Sequence, residues 1–140
     1  MKLEDRLEIL DLISGLAYYN DSIDEAGYRN LFVEDCVRSI RFRDGEPRDT
    51  KEGGMKMEHV KMLAEKGIID KHFYVNPVLN QVSDSSVKGK VSALILNQHL
   101  DESAPRLASF GTCDLVFRKT SEGWKIEEFH VHLQIPSPFD

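Results

Sequence analysis

The chain has 140 residues, 41% of them apolar and 30% charged, with 24 acidic against 18 basic side chains for a net charge of −6. That size and composition fit one self-sufficient core over 1–140 and exclude an intrinsically disordered chain. An acidic balance with no concentration of Lys and Arg argues against a nucleic-acid or anionic-membrane surface, and no apolar run approaches the roughly 20 residues that cross a bilayer.

The N-terminus leads straight into an amphipathic pattern without the continuous apolar stretch of a signal peptide, so export is not expected. Leu3, Leu7, Leu10, Ile13 and Ala17 recur at helical spacing, widened by Ile9, Leu12 and Leu16, and predict a first helix over 3–19. Ser22 and Glu25 have capping-box spacing and predict a short second helix ending near Phe32, with Asp24 at its positive end. After Asp35 the period becomes two, with Cys36, Arg38, Ile40 and Phe42 on one side, until Asp44-Gly45 offers a hairpin turn and a short return strand near Pro47. Gly53-Gly54 breaks the chain, and Met57, Val60, Leu63 and Ala64 predict a third helix over 55–66, closed by Gly67. Four segments rich in Val, Ile, Leu and Phe follow at 69–82, 87–100, 106–119 and 124–135, separated by turn residues. They read as long antiparallel strands, with Pro77, Gly89 and Gly111 as sites for a bend. Helices first and a meander afterwards give an α+β architecture with helices on one face of a bent sheet.

This pattern resembles the SnoaL-like branch of the nuclear-transport-factor-like (cystatin-like) α+β cone superfamily. The residues that carry the resemblance are Ile9 to Tyr19 followed by Asp21 and Asp24, then Tyr28 to Asp35, then His72 to Asn76, then Gly111 to Arg118, and finally Gly123-Trp124-Lys125-Ile126. The resemblance covers nearly the whole chain and implies three N-terminal helices packed on a strongly curved, mostly antiparallel sheet that encloses a pocket. Two enzymes of the superfamily, scytalone dehydratase and hexachlorocyclohexane dehydrochlorinase, use an Asp–His pair in the cavity. Carried over by local spacing, those positions are Asp21 and His72. The chain departs from scytalone dehydratase in having no histidine between 100 and 129 and Asn20 where that enzyme has a tyrosine, so its substrate is not transferred.

A neutral imidazole held by a carboxylate suits proton abstraction beside a carbonyl or leaving group, because the carboxylate orients the ring and stabilises the cation that forms. The expected activity is therefore that of a cofactor-independent lyase or isomerase acting on a small, largely apolar or aromatic molecule. His72 serves as base and Asp21 as its orienter, with Tyr19, Tyr74 or Asn76 donating hydrogen bonds to the substrate. The rival expectation is a non-catalytic small-molecule-binding or accessory domain of the same fold. Strand alternation puts Tyr74, Asn76 and Val78 on the face of His72.

His130 and His132 form an H-x-H pair, but no further ligands cluster with them in sequence, and no metal or cofactor is expected. Cys36 and Cys113 lie far apart without close Cys or His spacing, so they read as buried thiols in a reducing cytoplasm. Apolar runs at 91–96 and 115–117 imply burial on both sheet faces, which predicts a symmetric homodimer packed sheet against sheet. The competing account has the tail from Ile135 to Phe139 wrap round to complete a monomer's core.

Overall fold

The computed structural model describes residues 1–138, so Phe139 and the tail closure assigned to it lie outside the described residues. Helix α1 (Leu3–Asp21) turns Ile9, Ile13 and Leu16 into the core, as its apolar spacing requires. A capping box does not start α2 (Glu25–Arg29). Ile23 turns the chain with φ of 56°, so Asp24 becomes the cap and accepts from the Gly27 amide at 2.9 Å, while Glu25 pairs with Lys61 at 2.8 Å.

The sheet comprises β1 (Phe32–Arg41), β2 (Arg48–Asp49), β3 (Ile68–Ser83), β4 (Ser86–His99), β5 (Arg106–Thr120) and β6 (Gly123–Leu133) in the order β2-β1-β6-β5-β4-β3. Among the described residues only β1 and β6 run parallel. Extra residues in β1, β3, β5 and β6 shift the register and are the bulges that let such long strands curl around α1. The four long strands fall almost where the sequence puts them. Val87, Val91, Cys113, Leu115, Phe117, Trp124, Ile126 and Phe129 line the inner face, each side chain contributing about 2 kcal/mol of burial.

Gly111 marks a close approach rather than a bulge. A Cβ there would run into the His132 carbonyl and lie 2.9 Å from the Leu133 Cα, so the inner face can curl only because this position carries no side chain. Between β2 and β3 the expected single helix is two, α3 (Lys51–Met55) and α4 (Glu58–Glu65), because Met57 takes a left-handed conformation with φ of 54°. Among the described residues four helices therefore accompany the sheet, not three. Met55 and Met57 are core residues, whereas Met62 is exposed.

Candidate functional site

Asp21 is the last residue of α1, and His72 is the fifth residue of β3, an edge strand of the sheet. One carboxylate oxygen of Asp21 lies 2.6 Å from His72 Nδ1 and the other accepts the His72 backbone N–H at 2.9 Å. Two bonds to one residue fix both the ring and the strand that carries it. The short contact to an anion assigns the ring proton to Nδ1 and leaves the lone pair on Nε2. The Asn20 amide lies 3.2 Å from Nδ1 as well, and both members of the pair are largely enclosed, with side-chain exposures of 12% for Asp21 and 13% for His72.

Their cleft, of about 190 Å³, lies between α1 and β3, walled by Ile13, Ala17, Tyr18, Tyr74 and Phe73. A larger and more open groove of about 630 Å³ lies at the β1–β6 end beside Arg118 and Lys125. Arg118 is already engaged there by Glu127 at 2.9 Å and by Asp35 at 3.3 Å, and Lys125 by the Asn30 carbonyl at 2.6 Å.

Tyr74 joins the pair, its ring stacked 6.2 Å from that of His72 and edge-on to Phe129 at 6.0 Å. Burial pushes its hydroxyl well above the usual tyrosine range, so it remains a proton-bearing donor. The other two sequence candidates stand apart. Tyr19 is exposed and packs beside Gly15 and Gly27 on the α2 side, because helical rotation sends it away from its neighbours Tyr18 and Asp21. Asn76 is exposed at a bulge between Val75 and Val78, with φ of 57° ahead of Pro77, and that extra residue breaks the alternation extrapolated from His72.

Three inner-face groups that sequence reasoning passed over belong to this end of the molecule or beyond it: Asp70, Arg38 and Ser109, each buried. Asp70 accepts a hydrogen bond from the Asn97 amide. Burial pushes its carboxyl above the ordinary range, while His72 and His59 pull it down and Asp21 adds to the rise. Folded protein therefore holds the Asp70 proton to higher pH than the unfolded chain, and stability falls as pH rises from the unfolded value of about 3.9 through the folded one. Asp70→Asn is expected to melt higher than wild type at pH 7, with the difference vanishing toward pH 3. Thermal melts across that range check this, and a variant that melts lower at pH 7 rejects it.

His130 and His132 face the outside of the sheet. His130 meets Ser39 at 2.7 Å and Glu128 at 2.9 Å through its two ring nitrogens, and His132 meets Arg41 at 3.0 Å. Both thiols are buried and raised by that burial, Cys113 to about 12, so neither is a ready nucleophile.

The SnoaL-like domain family matches residues 1–130. The chain belongs to the SnoaL-like family. ActVI-ORFA from Streptomyces coelicolor is a structural neighbour of this SnoaL-like chain, with 23% identity, a TM-score of 0.73, and coverage of 91% of this chain and 96% of that one. An NTF2-like protein with a cystatin-like fold from Novosphingobium aromaticivorans has 19% identity and a TM-score of 0.73 over 98% of this chain and 86% of its own. A provisionally assigned scytalone dehydratase from the same organism has 15% identity and a TM-score of 0.73 over 95% and 86%. At these identities the likeness establishes the cystatin-like fold of the SnoaL-like chain. A search of curated proteins found no significant match. Among the described residues no helix is long and apolar enough to cross a membrane.

Proposed function

We propose that this protein is a cofactor-independent lyase or isomerase that removes a proton from the carbon beside a carbonyl in a small, largely apolar, aromatic or polyketide-like molecule. The observation that carries this reading is the 2.6 Å contact of Asp21 with His72 Nδ1 at the wall of a partly apolar cleft. His72 Nε2 takes the proton, and Asp21 stabilises the imidazolium that forms. The Tyr74 phenol donates to the oxyanion that develops on the carbonyl. Return of the proton to another carbon completes an isomerisation, and departure of a β-hydroxyl completes a dehydration. The names of the scytalone dehydratase neighbour and ActVI-ORFA are consistent with this class. Two free, buried thiols fit a reducing cytoplasm.

Proton NMR of 2-tetralone in heavy water tests the first step without knowledge of the natural substrate. Protein-dependent loss of the signals beside the carbonyl, saturating with ketone, is expected. Exchange no faster than in buffer would overturn the reading and leave a binding protein.

We also propose that the outer sheet face pairs with a second copy of the chain. Phe73, Leu94 and Phe110 form one cross-strand row there, with exposures of 38%, 37% and 47%. Three large apolar side chains in register on a solvent-facing sheet suit the centre of a symmetric interface burying on the order of 1,200 Å² or more in total. Sedimentation is expected to give about twice 16.0 kDa for wild type and the single-chain mass for Leu94→Lys. A wild-type species at 16.0 kDa at micromolar concentration rejects the dimer.

A further inference from the structure

Consecutive residues of a strand point to opposite faces, yet Lys71, His72, Phe73, Tyr74 and Val75 all line the cleft that holds the Asp21–His72 pair. The cleft therefore opens over the rim of β3, with His72 and Tyr74 on its inner side and Lys71, Phe73 and Val75 on its outer side. Of the acidic and basic side chains that line it, Asp21 and His72 engage each other, and Lys71 is left over. Among the described residues its ammonium has no ion-pair or hydrogen-bond partner, in a chain with 24 acidic side chains. It lies instead over the Tyr18 ring, 5.5 Å from the centroid. Tyr18 is 68% exposed, so water screens that contact and leaves the ammonium free to turn. Ile69 and Phe73 flank Lys71 on its own face of β3, and Leu96 stands opposite on β4, so no acceptor in that surrounding competes for the charge.

An exposed lysine elsewhere would be ordinary surface. This one stands where a ligand emerges from the cleft. A molecule that lays its apolar part against Ile13, Ala17 and Tyr74 reaches His72 at the inner side and meets an unengaged cation at the rim. An anionic group held there keeps much of its hydration, and so avoids the desolvation cost that a charge deeper in the cleft would incur. The Asp21 carboxylate at the inner end repels an anion, which sets the direction of entry: apolar end first, acid last. One ammonium balances one negative charge, which suits a carboxylate better than a phosphate dianion.

We propose that Lys71 selects substrates that bear a carboxylate, holding that group at the rim of the cleft while the apolar part of the molecule reaches His72. Placement of the reacting carbon rests on His72 as base; capture of the acid does not.

The test is calorimetry on the full chain with 2-naphthylacetate and its neutral analogue 2-naphthylacetamide, whose short arm lets the polar end turn outward. Wild type is expected to bind the acid about fivefold more tightly than the amide at low salt, the upper end for a charge pair in contact with water. Lys71→Met keeps the apolar stem and is expected to bring the two affinities within twofold, whereas Lys71→Arg and His72→Gln are expected to keep the preference. 2-Tetralone is expected to displace the acid, which places it in this cleft. Acid and amide binding equally to wild type, a preference that survives in Lys71→Met, or simultaneous binding of acid and tetralone would overturn the proposal. A preference lost in His72→Gln instead would put the acid on the imidazole and overturn it too. 2-Naphthyl phosphate binding more tightly than the acetate would overturn the choice of carboxylate. Absence of deuterium exchange into tetralone with the preference intact would remove the base and spare Lys71, and exchange without the preference would do the reverse.

Discussion

His72→Gln is expected to slow deuterium exchange into 2-tetralone by about 10² to 10⁴, the usual contribution of a positioned general base. Glutamine is close to histidine in reach and keeps a polar group against Asp21, so the loss reports the missing lone pair rather than a collapsed cleft. Asp21→Asn leaves an oxygen able to accept the His72 backbone N–H, a bond of 2.9 Å in the native chain. It removes the negative charge that faces Nδ1 at 2.6 Å. A fall in kcat of about a hundredfold or more, with KM little changed, is therefore expected, because the charge matters most once the ring becomes a cation. Rates of both variants within threefold of wild type would remove the pair from the chemistry.

Gly111→Ala is the change expected to harm folding most. The atoms that its methyl group would meet are backbone, the His132 carbonyl and the Leu133 Cα, and neither can swing aside without breaking the pairing of β5 with β6. A loss of about 4 kcal/mol or more, or no soluble protein, is expected. Gly89→Ala provides the contrast. Its Cβ would meet the Phe117 ring at 2.9 Å and a Leu79 methyl at 3.1 Å, side-chain atoms that can shift, and overpacking of that kind costs about 1 to 3 kcal/mol. Urea melts separate the two, and equal midpoints for the pair would refute the argument.

Periodicity sufficed for the long elements because each presents an apolar stripe to one core, as Ile9, Ile13 and Leu16 do on α1 and Cys113, Leu115 and Phe117 do on β5. It failed where one backbone angle decides the outcome. Met57 is an ordinary helix former that here turns left-handed, and Asn76 spoils a clean alternation by adopting a positive φ before Pro77. Spacing along the chain brought Asp21 and His72 forward through family resemblance, and the structure places them in contact. The same spacing could not show that Tyr19 turns toward α2, since adjacent helical positions differ by about 100° of rotation. Arg38 did carry a signal: it occupies an apolar beat of β1 between Cys36 and Ile40, where a charge is out of pattern. Asp70 gave a similar sign, standing two residues before His72 on the same face of β3.

The bond from Asp21 to the His72 amide has a meaning outside chemistry. Strand β3 is 16 residues long and has a neighbour on one side only, so its bare rim is a template on which a foreign strand could start a fibril. Asp21 occupies a donor near one end of that rim, and Pro77, which has no amide hydrogen, interrupts it farther along. The carboxylate that holds the imidazole thus also guards the chain against its own kind.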